Sequence, residues 1–513
     1  ETQKKTITMK KNILLPLLLF ALLSGFYSDN GFSFKRSNSY KIGGGEIEKV
    51  LGRIDDYVYA EVTKGKRHHI IKYSMRGIAE KIPVKLNRGD KKLNYVNCFI
   101  SGDKIITVTS FINLKKKEEY FFSNALDAKN MKYSDDMQLI GSVEVKSNKV
   151  HGSLSYAYSE DKSKTVAFMF NSDNKKESNQ EIVFAVFDKG ELMWKKTKTI
   201  DYKDSEFFAG GYAVDNKGNV YSEGQLWISK LSRKVSLVEN HVLVFNKDNK
   251  FEDIVLEMKD VYISLNQTKL TVDANQNIIV AGLYSYERGF RQDGTFYIRL
   301  NGKTHKTDIS KFSFFKPDFT VDDIYSKAPV LKNRPGSTVK KNVKYLMNYL
   351  LKDLHVYKDG SVLLLAEQFG GTSNPNGNVI FYNSVKNILL VRIDKYGKIK
   401  WNKKIKKVQT GNYKILSFVY GVHDGSIYIV FNDSRKNNKP RKSPATYEGD
   451  KNLYLVLYTF DENGNGKRTN VVDGKKTNFY MITEFSFFDE EKNSFIINRG
   501  YIKIDFAILD INK

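Results

Sequence analysis

The chain has 513 residues, a formal net charge of +25, 41% hydrophobic and 13% aromatic residues. This balance excludes a disordered polymer, and 31 Tyr with 33 Phe suit half-buried pleated surfaces better than helices. The lone cysteine, Cys98, excludes an intramolecular disulfide, and its setting in the run YVNCFIS marks a small buried hydrophobe rather than a nucleophile.

The first thirty-odd residues read as an address. Met9-Lys10-Lys11 precede an aliphatic run from Ile13 to Leu23, interrupted by Pro16, and then small and polar residues. That is the order of a secretory signal, and the run is too short to cross a bilayer, which takes about 20 residues. Gly31-Phe32-Ser33 suggests cleavage after Ser33, giving a signal segment over 1–33. Glu1 to Thr8 precede Met9 and read as an over-extended frame. The expected destination is the periplasm, the exterior or the cell surface. The absence of a nearby cysteine disfavours a lipoprotein, and the cleaved chain is not expected to be an integral membrane protein.

Residues 34–54 read as a linker, and 55–513 as one β domain. From Tyr57 the pattern is strand, turn, strand. A hairpin runs from Tyr57 to Tyr73, followed by units whose first turns fall near Asp103, Lys162, Lys217, Gln276, Asp359, Asp424 and Glu491. Each unit holds two hairpins of alternating apolar residues, which is the sequence signature of four-stranded propeller blades. Seven blades are the preferred count, with six or eight as alternatives. The last unit shows three strands, so N-terminal strand material is expected to complete it. An insertion over 303–352 breaks the period. Within it, Val339, Val343, Leu346 and Leu350 recur at helical spacing, predicting a helix over 338–352.

The first and third turns of each unit are tight. The middle connections are longer: Asn171 to Gln180, Ser222 to Asn240, Ser285 to Gly294, Phe369 to Asn387 and Asn432 to Asn452. Loops on a rigid scaffold carry function more often than the scaffold does, so this end of the blades is the candidate binding face. Arg288, Arg291, Arg435, Lys436, Lys439, Arg441 and Lys442 make two of these connections basic. The expected partners are an envelope protein or an anionic glycan. Nucleic acid is disfavoured, because no Arg cluster is interleaved with aromatics and much of the Lys excess suits strand edges.

No G-x-S-x-G, phosphate loop, CxxC or H-E-x-x-H motif is present, and no cofactor is expected. Glu367, an acid in the apolar strand LLAEQF, is the single catalytic candidate. Asp461, Asn463 and Asn465 match the front of a calcium loop, but Val472 stands where the bidentate Glu belongs. A hairpin turn is the favoured reading there.

FDKGELMW and IDKYGKIKW place Asp188, Gly190 and Trp194, and Asp394, Gly397 and Trp401, in equivalent turn-plus-Trp strings. These resemble the repeats of quinoprotein-type propellers, which implies blade packing. The segment from Asp359 to Gln409, with DGSVLLLAEQF and IKWNKKIKKVQ, resembles uncharacterised exported proteins of Bacteroidota, which implies an exported or envelope location and no known activity. The expected function is a non-catalytic binding or scaffold propeller. The alternatives are a glycan-active enzyme with carboxylates at the central channel and an accessory subunit of an outer-membrane complex.

Overall fold

The structure, a computed structural model, describes residues 31–145, 153–170, 179–203, 205–232, 235–248, 250–258, 261–263, 265–286, 291–316, 319, 346–373, 379–439, 441, 443–449, 452–500 and 502–511. By its internal contacts the chain divides into Val84–Lys407 and a second unit, Glu1–Pro83 with Val408–Lys513.

Eight antiparallel sheets of four main strands, in simple meander order, dominate the described residues. The fold is an all-β propeller of eight blades. The larger unit holds blade 2 (94–144), blade 3 (153–203), blade 4 (207–256), blade 5 (268–314) and blade 6 (349–405). The other unit holds blade 1 (46–83), blade 7 (419–473) and blade 8 (487–511). Blade 8 supplies three strands from the C-terminus. Its fourth is Phe32–Arg36, paired antiparallel with Phe506–Ile511. N-terminal strand material therefore does complete the last blade.

Three expectations are corrected here. The count is eight, not seven, because the hairpin around Tyr57 to Tyr73 is the middle of a full sheet. The residues expected to form a linker are largely strand: Glu46–Ile54 opens blade 1, with pairing shifts at Ile47/Lys49 and Val50/Gly52. Those bulges break the alternation that would have shown it as a strand. The third correction is the helix over 338–352. Its described part is extended, with Leu346–Met347 a short strand and Tyr349–Val356 the first strand of blade 6. Asn348, at φ 61°, breaks the extended chain between Leu346 and Leu350, so their four-residue spacing comes from two separate strands. The rest of that segment lies outside the described residues. Thr307–Phe314, inside the expected insertion, is the fourth strand of blade 5.

The blades are held by what their middle strands bury. In blade 5 every residue of Ile278–Tyr284 is buried, as expected for a strand covered on both faces. In the larger unit one apolar cluster forms between each pair of successive blades. Phe99, Phe121, Val183 and Phe187 lie between blades 2 and 3, and Phe168, Phe184 and Phe245 between 3 and 4. Tyr221, Val242, Phe296 and Ile298 lie between 4 and 5, and Tyr297, Tyr349, Leu364 and Val391 between 5 and 6. Fourth strands differ: Glu191–Lys203 in blade 3 alternates exposed and half-buried residues and carries Lys195, Lys196, Lys198 and Lys203. Lysine on such an edge disfavours pairing with another chain.

Four of the tight turns share one device. Asp215, Asp273, Asp394 and Asp461 each accept backbone N–H bonds from the residues two and four positions on, at 2.7–2.9 Å. The side-chain oxygen thus replaces a turn carbonyl. Gly218, Gly397 and Gly464 hold positive φ at the next-to-last place, and Gln276 does so in blade 5. The turn-plus-Trp strings reach neighbouring blades. Trp194 Nε1 donates to the Gly218 carbonyl of blade 4 at 3.0 Å, and the Gly190 N–H donates to Ser101 Oγ of blade 2 at 3.0 Å. Asp188 pairs with Lys164 at 3.2 Å. A Cβ on Gly397 would stand 2.5 Å from Lys311 Cβ of blade 5. Trp401 is half-buried opposite Arg392.

Candidate binding site at the middle connections of blades 4 to 6

In a meander the middle connection leaves the sheet at the end opposite the first and third turns. Two connections expected to be loops are largely strand. Val220–Ser232 pairs with Val235–Phe245, and Val362–Ser373 with Val379–Ile393, so blades 4 and 6 carry long hairpins.

At this end of the larger unit the first and second strands bury polar side chains where the rest of each blade buries hydrocarbon. In blade 4 the first strand bulges, so that Gly210 and Gly211 together oppose Glu223. The Glu223 carboxyl enters the bulge. Its Oε1 accepts the Gly211 N–H at 2.8 Å, and its Oε2 accepts the Thr268 hydroxyl of blade 5 at 2.9 Å. A Cβ on Gly211 would stand 2.7 Å from Glu223 Oε1, which is why a glycine is needed there. Glu223 is 4% exposed. Burial pushes its carboxyl above the ordinary range, outweighing the Gly211 and Thr268 donors.

Two residues on, Gln225 is buried and donates through Nε2 to Asn240 Oδ1 at 2.9 Å and to the Ile263 carbonyl at 2.5 Å. Two further on, Trp227 is half-buried and meets Phe208 edge-to-face at 6.0 Å; Phe208 is 45% exposed. On the other side of blade 4, His241 Nδ1 lies 2.7 Å from Asp253 Oδ1, and the Tyr202 hydroxyl donates to Asp253 Oδ2 at 2.6 Å.

Blade 5 continues the polar band. Arg291 donates to Asp293 Oδ1 through Nε at 2.9 Å and Nη2 at 2.6 Å. Asp293 Oδ2 accepts from Ser285 Oγ and the Tyr286 N–H. Gln267 and Gln292 both donate to the Tyr349 carbonyl. A small cleft of about 10 Å³, lined in part by Tyr262, Gln267, Tyr284, Arg291 and Gln292, lies beside them. Gln267 Oε1 and Thr295 Oγ1 are buried without a hydrogen-bond partner among the described residues. In blade 6 the Glu367 carboxylate, 1% exposed, lies 2.7 Å from Lys407 Nζ and 3.4 Å from Lys352 Nζ.

The sequence-derived residues meet different surroundings. Arg291 is no ligand arm: it is buried and spent on Asp293. Glu367 is no accessible catalytic acid: it is buried against the buried Lys407, with the more exposed Lys352 on its other oxygen. Arg435, in the other unit, pairs with Asp473 and lies over Tyr454. The segment after it is pinned by Asn437, which bonds Asp433 and Ala445. Lys436, Lys439 and Arg441 are exposed, while Arg288 and Lys442 lie outside the described residues. Asp461 spends its oxygens on its own turn. The Asn465 amide and the following backbone N–H groups hold its carboxyl below the ordinary range. Asp461, Asn463 and Asn465 thus form a hairpin turn, and no group of three or more metal-ligating side chains occurs among the described residues. Sequence reasoning missed Glu223, Gln225, Phe208 and Trp227. The signal available was the string FFAGGYA, whose paired glycines in a strand mark a bulge.

No family model matches the chain, and no curated protein matches it. Solved structures similar to it include the β-propeller domain of the Trilobed protease from Pyrococcus furiosus, with 14% identity and a TM-score of 0.35, covering 84% of this chain and 98% of that one. The WD40 domain of SCAP from fission yeast is similar at 7% identity and a TM-score of 0.39, covering 95% and 97%. A europium-containing methanol dehydrogenase is similar at 10% identity and a TM-score of 0.41, covering 92% and 85%. The blade count and strand order given above stand on this chain's own hydrogen bonds.

Proposed function

We propose that the protein is an exported binding module that works through the middle-connection end of blades 4 to 6. The carrying observation is the band of buried polar side chains there, with Gln267 Oε1 and Thr295 Oγ1 left unpartnered. Buried polar atoms cost stability unless they are bonded, so such a band is kept where a ligand or ordered water completes it. Export rests on the charged, apolar and small-residue segments before residue 33. The expected cut after Ser33 would remove Phe32 and Ser33 from the paired strand Phe32–Arg36. N-terminal sequencing of the mature protein tests it; a first residue other than Phe34 would refute that cut.

The partner is a glycan or an envelope protein. Phe208→Glu, at the proposed end, is compared with Lys217→Glu, in a tight turn at the other end of blade 4, for retention by native envelope fractions. Retention lost only in Phe208→Glu supports the reading. Loss only in Lys217→Glu overturns it.

A second reading, glycan turnover, is favoured by one observation. The Glu223 carboxyl is buried and its pKa is raised, as in general acids. It requires a second carboxylate about 5–10 Å away. Release of reducing ends that Glu223→Gln abolishes would establish it.

A further inference from the structure

We propose that Phe208, Trp227 and Gln225 of blade 4 form a subsite for the sugar rings of a neutral oligosaccharide. This rests on the binding reading above and names its ligand class.

The argument starts from strand geometry. Residues two apart on one strand project to the same side, so Glu223, Gln225 and Trp227 form one row beside blade 5. The contacts agree: Glu223 bonds Thr268, Gln225 bonds the Ile263 carbonyl, and Trp227 meets Phe208. The row spans about 13 Å, at roughly 3.3 Å per residue. It grades from a buried acid, through a buried amide pair, to the half-buried Trp227 and the exposed Phe208.

A packing role explains the acid but not the exposure of Phe208. Glu223 satisfies the bulged backbone of its own blade. Phe208 is 45% exposed, whereas its neighbour Phe207 is buried in the blade 3–4 core. The bulge that follows Phe208 at Gly210-Gly211 is paired with a rigid backbone on either side, so the ring is presented from a fixed element. Trp227 is fixed as well, with its backbone N–H on the Glu206 carbonyl at 2.8 Å.

The chemistry on offer is an aromatic face beside a neutral amide. Gln225 uses both N–H groups on Asn240 and Ile263, which leaves its Oε1 as an acceptor held in place. A sugar ring has an apolar C–H face, which stacks on an aromatic side chain, and edge hydroxyls, which donate to an amide oxygen. An apolar peptide would leave the Gln225–Asn240 pair without a partner. A polyanion would find no cation among these three side chains. The ligand that matches both halves is an uncharged glycan.

The test uses the full mature chain and four probes: cellohexaose, chitohexaose, mannohexaose and maltohexaose at millimolar concentration, read by calorimetry and tryptophan fluorescence. At least one is expected to bind. Trp227→Ala and Phe208→Ala are each expected to weaken it about five- to tenfold. Trp227→Phe is expected to retain most of the affinity, and Trp194→Phe all of it. Circular dichroism and melting of each variant confirm the fold. Binding that ignores both alanine variants overturns the subsite while leaving the binding module standing. Failure of all four probes, with retention by envelope fractions still sensitive to Phe208→Glu, likewise overturns the sugar assignment alone. If retention is insensitive too, both readings fall.

Discussion

Blades 4 and 6 each bury a glutamate on the second strand beside a bulged first strand, and they treat it in opposite ways. Glu223 is met by two neutral donors, a glycine N–H and a threonine hydroxyl. Glu367 is met by two ammonium groups, one of them on the fully buried Lys407. The first environment raises the carboxyl's pKa; the second provides countercharge. The same residue type in the same architectural place therefore becomes a titratable group in one blade and half of an ion pair in the other. The choice is made by side chains that lie well away along the chain: 45 residues separate Glu223 from Thr268.

The comparison is broken most severely from the blade 6 side. Glu367→Ala removes the carboxylate that lies 2.7 Å from the buried Lys407 ammonium, and should cost about 3–5 kcal/mol in denaturant unfolding. Glu367→Leu combined with Lys407→Met should recover much of that loss. If the single variant costs as little as a surface change, the pair is not the interior strut described here.

Next comes the shape around the blade 4 acid. A Cβ on Gly224 would stand 2.1 Å from the Phe207 ring. Gly224→Ala should therefore lower stability by about 1–3 kcal/mol through overpacking. An unchanged melting temperature would show that Phe207 moves freely.

The sharpest contrast is in pH. A buried carboxyl with a raised pKa binds its proton more tightly folded than unfolded. Its contribution is therefore present below the unfolded value, about 4.3, and is lost as pH rises through the folded value. Each unit of upward shift corresponds to about 1.4 kcal/mol. Glu223→Gln should remove that decline, so that the variant gains relative to the parent as pH rises. Identical pH profiles for parent and variant would count against an upward shift at Glu223.

Smaller effects test the turns. Trp194→Phe removes the bond to the Gly218 carbonyl and should cost about 1 kcal/mol. Added calcium should leave the melting temperature unchanged, because the Asp461 oxygens are already bonded within their own turn. A calcium-dependent rise would restore the metal reading.

Much of the fold was legible. Strand alternation and the Asp/Gly turns revealed repeating blades, because both depend on residues at most four positions apart. The eighth blade was hidden where that local rule fails: two bulges break the alternation of Glu46–Ile54. The helix expected over 338–352 failed at another local break, Asn348, whose positive φ separates two strands. The candidate site was far less legible. Arg291 and Glu367 read as exposed or catalytic chemistry, yet each is neutralised inside the protein.

The sequence by itself determined an all-β chain of repeated hairpins with aspartate-capped turns, because those features are built from short-range hydrogen bonds and a two-residue period. The sequence also pointed to N-terminal strand material in the last blade, but only the tertiary structure decided that the strand is Phe32–Arg36. It also decided which buried acid meets neutral donors, which meets lysines, and which aromatic rings face water. Those outcomes depend on neighbours brought together by stacking of the blades, and no local pattern records them.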